Sequence, residues 1–215
     1  MGFDYVFDTT FGADLTIMEE ANELKKRIEE KKLPMFTSCC PSWVLYAEKY
    51  YPKLVSKLST CKSPIAMQGA MIKSYFSKMY NIPTKKIISV SLTPCISKKY
   101  ERFLYPETDF VITTSELVLM IRQLEIDFKS LKEDCFDKLL GKGSGGGLIF
   151  GTSGGVMESI LRTLYYMINK EKAPDLFYQF TDIRGEKDFK ETIVDMQKFK
   201  LKIAVVNKMA TIKKL

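Results

Sequence analysis

Four short strand-like runs, the first three followed by a hydroxyl-bearing residue, limit what this chain can fold into. They fall at 34–37, 86–92, 110–113 and 201–206. Between them lie longer stretches of helical period, clearest in Ile17, Ala21, Leu24 and Ile28. Strands that alternate with helices imply crossover connections, and so an α/β fold of mainly parallel sheet flanked by helices. The spacing predicts a helix over 14–32, opened by Thr16 and Glu19 as a capping box. Pro41 suits the first turn of a second helix with Trp43, Tyr46 and Tyr50 on one side. Pro52 ends that helix, and 53–58 form a further helical turn. A third helix covers 64–80 and stops before Pro83. Thr114 is expected to cap a helix over 115–123, and another runs over 155–169.

Residues 141–155 are rich in glycine, with the strand-like apolar run Leu148, Ile149 and Phe150 among them. Gly141, Gly143 and Gly146 satisfy G-x-G-x-x-G literally, but no clear strand precedes them, so a dinucleotide site is not expected. A boundary between two lobes is placed near 140–150, within one unit over 1–215.

Composition matters here mainly for the chemistry it removes. The chain has 215 residues, 46% of them hydrophobic, which is enough to build a core. It contains no histidine. Ser–His, Cys–His and His–metal mechanisms are therefore excluded, and any metal must be held by Cys, Asp or Glu. Proton transfer falls to carboxylates, thiols, hydroxyls and lysines. The five cysteines are an odd number with no secretory signal, which points to a reducing compartment rather than a disulfide framework. The net charge of +7 comes from scattered lysines, so no nucleic-acid footprint is expected. No apolar run is long enough to span a bilayer.

Two cysteine sites share one local pattern. A strand-like run ends, a short loop places the thiol beside proline, and a helix begins: Cys39 and Cys40 before Pro41, and Cys95 after Pro94. Ligands collect at the carboxyl ends of strands in open α/β sheets, and thiolates suit iron–sulfur clusters. The residues alone leave the alternative of inert, buried cysteines open.

The run Thr37-Ser38-Cys39-Cys40-Pro41-Ser42-Trp43 resembles the first signature of the iron-only ([FeFe]) hydrogenases, T-S-C-C-P-G-W. The run from Thr93-Pro94-Cys95 through Lys98, Lys99 and Glu101 is similar to their second, M-P-C-x-x-K-K-x-E. The stretches 2–20, 112–117 and 149–158 resemble further family segments in the same order. The resemblance implies the family's large-subunit fold. It also implies an H-cluster, formed by a four-iron four-sulfur cubane and a di-iron subsite with carbonyl, cyanide and dithiolate ligands. Cys40 and Cys95 would hold the cubane, and Cys39 would deliver protons to the open iron. Lys98 would bond a cyanide. Glu20, Glu23 and Ser59 would relay protons, with Arg27 near the mouth. Ser63, Pro64, Thr93, Pro94, Phe150 and Gly151 would line the cofactor.

The activity so implied is reversible reduction of protons to hydrogen, with ferredoxin or a related electron carrier and cluster maturation proteins as partners. The expected place is the cytoplasm, or a hydrogenosome in an anaerobic eukaryote. Read as residues alone, Glu20 and Glu23 are equally two carboxylates on a solvated face, Lys98 a surface lysine, and Ser59 the tail of a helix. The family's third signature, with the last two cubane cysteines, would lie beyond Leu215; Cys61 and Cys135 do not fit it. The expectation is a partial catalytic domain. Ser42, Thr93 and the pair Ile65 and Ala66 depart from the family pattern. They suggest a divergent branch, sensory or related to iron–sulfur assembly factors and without hydrogenase activity on its own, as the alternative.

Overall fold

The computed structural model describes residues 1–138, 141–175, 177, 181–183 and 186–214. Leu140, at the start of the expected lobe boundary, lies outside these. The first helix, α1 (Thr10–Glu29), starts four residues before the expected point. Thr16 is consequently inside it and buried, so the predicted capping box does not form. Its hydroxyl donates instead to the carbonyls of Gly12 at 3.2 Å and Lys62 at 3.1 Å. That second bond ties α1 to the segment leading into α3 (Pro64–Met71). The two helices approach closely because residue 12 is glycine: a Cβ there would lie 2.3 Å from the Pro64 carbonyl oxygen.

The expected helix over 64–80 is divided into α3, a π-helical turn over Ile72–Phe76 and the short α4 (Ser77–Met79). The strand expected over 86–92 is also shorter. It begins at Val90 as β1 (Val90–Thr93). The Ile87 carbonyl is taken by the Lys73 ammonium and the Ser89 amide by Asp109, so these backbone groups are occupied before a ladder begins. β1 pairs in parallel with β2 (Phe110–Thr113) across α5 (Lys98–Glu101). The following helix, α6 (Thr114–Gln123), is capped by Thr113 rather than Thr114. The Thr113 hydroxyl accepts from the Glu116 amide while the Glu116 carboxylate accepts from the Thr113 amide, a complete capping box.

The glycine-rich segment packs onto the start of α1. Ser144 donates through its amide and its hydroxyl to Asp14, both at 2.6 Å. Leu148, Ile149 and Phe150 are helical, in α7 (Gly145–Phe150), and not strand-like. Glycine 155 opens α8 (Gly155–Asn169) because a Cβ there would sit 1.8 Å from the Ile149 carbonyl oxygen.

The main core forms where one face of α8 (Ile160, Leu161, Leu164 and Tyr165) meets Ala21 and Leu24 of α1. It is closed by Val194 and Leu201 from a second sheet and by Met196 in the turn between their strands. This sheet comprises β3 (Thr181–Ile183), β4 (Glu186–Asp195) and β5 (Lys200–Val206), in that order, and is antiparallel throughout. The α/β class holds, and β1 and β2 are parallel as expected, whereas β3, β4 and β5 are antiparallel. A strand that returns through the short turn between Asp195 and Lys200 has no room for a crossover and must run antiparallel.

Candidate functional site

The site is assembled where α1 passes the two cysteine loops. α2 (Pro41–Tyr50) begins at Pro41 with Cys40 as its N-cap residue. The strand-like run before it is reduced to one bridge: the Phe36 amide donates to Lys57 and the Ser59 amide to Phe36, at 2.9 and 2.7 Å. The Trp43 indole donates to the Thr37 carbonyl at 3.1 Å and fixes the turn containing the cysteine pair. The Phe36 bridge brings Ser59, Thr60 and Cys61 beside α1, where Glu20 and Glu23 project.

These two carboxylates are not a solvated face. Glu20 is 1% exposed, and neither of its oxygens has a hydrogen-bond partner among the described residues. Burial pushes its pKa up to about 7, against partial relief from nearby Ser59 and the Ser38 backbone. Glu23 behaves in the opposite way. Burial disfavours its charge, but the Thr60 amide, Arg27 and Ser59 outweigh that and hold the carboxyl below its ordinary value. Its Oε2 accepts from the Ser59 hydroxyl at 3.0 Å, the Thr60 amide at 2.9 Å and hydroxyl at 3.1 Å, and the Cys61 thiol at 3.5 Å. Arg27 pairs with Oε1 and also donates to the Leu58 carbonyl at 2.7 Å. Two neighbouring carboxyls with separated pKa values can divide the roles of charged acceptor and near-neutral proton carrier.

Cys39 is half-buried, and burial pushes its thiol up to about 12, with Glu20 raising it further and Lys98 opposing. It is therefore a protonated thiol at neutral pH. Cys40 is exposed, and Cys95 is half-buried. The Cys95 amide donates to the hydroxyl of buried Thr93 at 3.3 Å, which sets the turn around Pro94. Lys98 is largely buried. It pairs with Glu101 and donates to the Cys39 carbonyl at 2.7 Å, so it ties the second cysteine loop to the first. Ser42 and Ser97 share a second bond between these loops.

Ser63 is 1% exposed at the N-cap of α3, followed by Pro64, and its hydroxyl has no partner among the described residues. Phe150 and Gly151 stand at the end of α7, where no hydrogen bond among the described residues ties them to the cysteine loops. Sequence reasoning missed the parts of Cys61, Thr60 and Glu101. Glu101 was visible as a carboxylate three residues after Lys98, the spacing of a helical ion pair. Cys61 and Thr60 carried no signal, because only the Phe36 bridge places them against Glu23.

Thiols near unpartnered polar groups suit an inserted iron–sulfur group, and a family model for the iron-only hydrogenase large subunit, C-terminal domain, matches residues 1–215. The chain belongs to that family. This iron-only hydrogenase domain is 44% identical over 218 residues to the periplasmic [Fe] hydrogenase large subunit of Nitratidesulfovibrio vulgaris, covering 96% of the chain and 51% of that protein. It is 42% identical to iron hydrogenase 1 of Clostridium pasteurianum, covering 96% of the chain and 37% of that protein. Among solved structures, an apo [FeFe]-hydrogenase from Chlamydomonas reinhardtii superposes with a TM-score of 0.84 at 38% identity, covering 99% of the chain and 63% of that one. The iron-only hydrogenase domain thus spans about half the length of the curated relatives or less. Its α/β fold is that of the family. No described helix is long and apolar enough to cross a membrane.

The family's cofactors include iron–sulfur clusters, and a cubane takes four thiolates. Among the described residues no three Cys, Asp or Glu converge as a metal site. The donors fit part of the ligand set: two soft thiols, Cys40 at the start of α2 and Cys95 in the turn before α5, with the Ser63 hydroxyl and Glu20 carboxyl, unpartnered among the described residues, as polar groups that an inserted group or its water would satisfy.

Proposed function

We propose that this chain supplies two iron ligands and the proton path of a hydrogenase active site, catalysing the reversible reduction of two protons by two electrons to hydrogen. Cys40 and Cys95 would be the ligands. When bound, the cluster supplies the electrons and the site at which protons are reduced. The observation that carries the reading is the buried, unpartnered Glu20 standing between the charged Glu23 group and the neutral Cys39 thiol.

The proton path follows from these groups. Arg27 and Glu23 form its outer end, and the Ser59 hydroxyl already donates to Glu23. A proton accepted at Glu23 passes by way of Ser59, whose hydroxyl can give one proton as it takes another. Glu20, poised at about 7, takes up and releases a proton at neutral pH with little bias. Cys39 then presents its thiol proton at the cofactor. Lys98, paired with Glu101 and largely buried, orients the Cys39 backbone and keeps a donor for a cofactor anion such as cyanide. Thr93, Pro94, Ser63 and Pro64 would shape the wall, and Phe150 and Gly151 would close it.

Ferredoxin or a related carrier would deliver the electrons, maturation proteins would install the cluster, and a reducing compartment such as the cytoplasm would suit the free thiols. The presence of Cys39 favours turnover over a non-catalytic assembly factor, a branch that usually lacks this thiol.

The test uses the chain joined to the family's remaining cysteine signature, loaded with iron, sulfide and a synthetic di-iron cofactor. Hydrogen evolution with infrared carbonyl and cyanide bands is expected. In that protein Cys39→Ala abolishes evolution while cluster iron stays within error of the parent. Loss of iron instead would show that Cys39 is a ligand and the role assignment is wrong.

A further inference from the structure

The junction of the two cysteine loops is held by few forces. α2 buries only Pro41 and Ala47, and α5 buries only Glu101. Apolar packing is therefore too thin to set how the loops sit against each other. Among the described residues, two polar bonds cross the junction instead. Lys98 donates to the Cys39 carbonyl at 2.7 Å, and the hydroxyls of Ser42 and Ser97 bond each other. Cys40 lies between Cys39 and Ser42, so its backbone is gripped on both sides by consecutive residues of the Cys95 loop. One bond leaves two loops free to pivot, whereas two fix their separation and rotation together.

Ser97 precedes α5 with helical backbone angles (φ −63°, ψ −22°), a conformation from which a serine hydroxyl does not cap the helix's own amides. Here it makes no such cap bond. It is directed across the junction to Ser42, 55 residues away in sequence. Glycine, the family's usual residue at position 42, has no side chain to close this link.

We propose that Ser42 and Ser97 form a positioning clasp that sets the spacing and orientation of the Cys40 and Cys95 thiols. The clasp rests on the reading of those two thiols as paired ligands. It would keep a two-point metal grip before any further ligand arrives, lowering the ordering cost of binding.

Cobalt(II) is a suitable probe, because thiolate-to-cobalt charge-transfer absorption reports how many thiolates bind. The unmodified full chain should show a two-thiolate band, reduced to the one-thiolate intensity in Cys40→Ala and in Cys95→Ala. Ser42→Ala and Ser97→Ala should each weaken cobalt binding about fivefold, the effect of losing one neutral hydrogen bond. The double variant should be no weaker than either single one, and Ser42→Thr, which keeps the hydroxyl, should bind as the parent does. Ser42→Gly, the family's usual residue, serves as a second variant whose fold is checked by its urea midpoint. Unchanged affinity, or effects of the two serines that simply add, would overturn the clasp while leaving the paired-ligand reading intact. A band that persists unchanged in both cysteine variants, or that is absent from the parent, would remove the paired-ligand reading and the clasp with it.

Discussion

At the residue scale, Glu20 carries the largest consequence. Its pKa rises from an ordinary 4.5 to about 7 because the charged form is disfavoured by burial. A carboxyl whose folded pKa lies above its unfolded value stabilises the fold below the unfolded pKa. That contribution is lost as pH rises from about 4.5 through 7. Glu23, with its pKa lowered, acts oppositely: its contribution is present above the unfolded value and lost in acid. Urea unfolding of the parent should therefore weaken by roughly 3 kcal/mol between pH 4.5 and 8 on account of Glu20. Glu20→Gln should flatten that slope. A parent and variant with the same pH slope would show that Glu20 is solvated and ionised.

At the scale of elements, the spacing of α1 and α3 decides whether the carboxylates meet Ser59 and the cysteine loops. Glycine 12 permits the contact, and the Thr16 bond to Lys62 locks it. Gly12→Ala gains about 1 kcal/mol of helix propensity but drives a methyl group into the Pro64 carbonyl. Against a backbone oxygen only 2.3 Å away, the overpacking cost falls towards the upper end of about 1–3 kcal/mol and exceeds the gain. The expected result is a lower urea midpoint together with a Glu20 pKa closer to 4.5, followed by carboxyl NMR titration. An unchanged midpoint would mean that the helices separate freely at this point.

At the scale of the whole molecule, α8 is the hub between α1 and the antiparallel sheet. Leu164 is fully buried there among Ala21, Val194 and Met196. Leu164→Ala should cost about 2–5 kcal/mol, enough to loosen both layers at once. Amide exchange should then speed up in α1 and β4 together. Faster exchange in β4 alone would show that the sheet unfolds as a separate unit.

Some of this was legible from residue order. The α/β class, α2 with its proline start, β2, α6 apart from its cap residue, and α8 all followed from periodicity and helix-breaking residues, which are local. The cysteine signatures likewise identified the family, because adjacent thiols beside proline are rare and specific. What residue order could not decide was which neighbours each group would meet. Thr16 and Glu19 carry a capping-box pattern, yet Thr16 is buried inside the helix by the closeness of α3. Glu20 and Glu23, three residues apart, read equally as a wet surface until the Phe36 bridge brings Ser59 and Cys61 over them. Ser42 appeared only as a departure from glycine, and Ser97 as an unremarked loop residue. The sequence by itself determined the fold class, the family and the list of chemical groups available. Tertiary structure alone decided their burial and partners, and hence which carboxyl is charged and which thiol is neutral. Those properties depend on desolvation and on bonds between segments tens of residues apart.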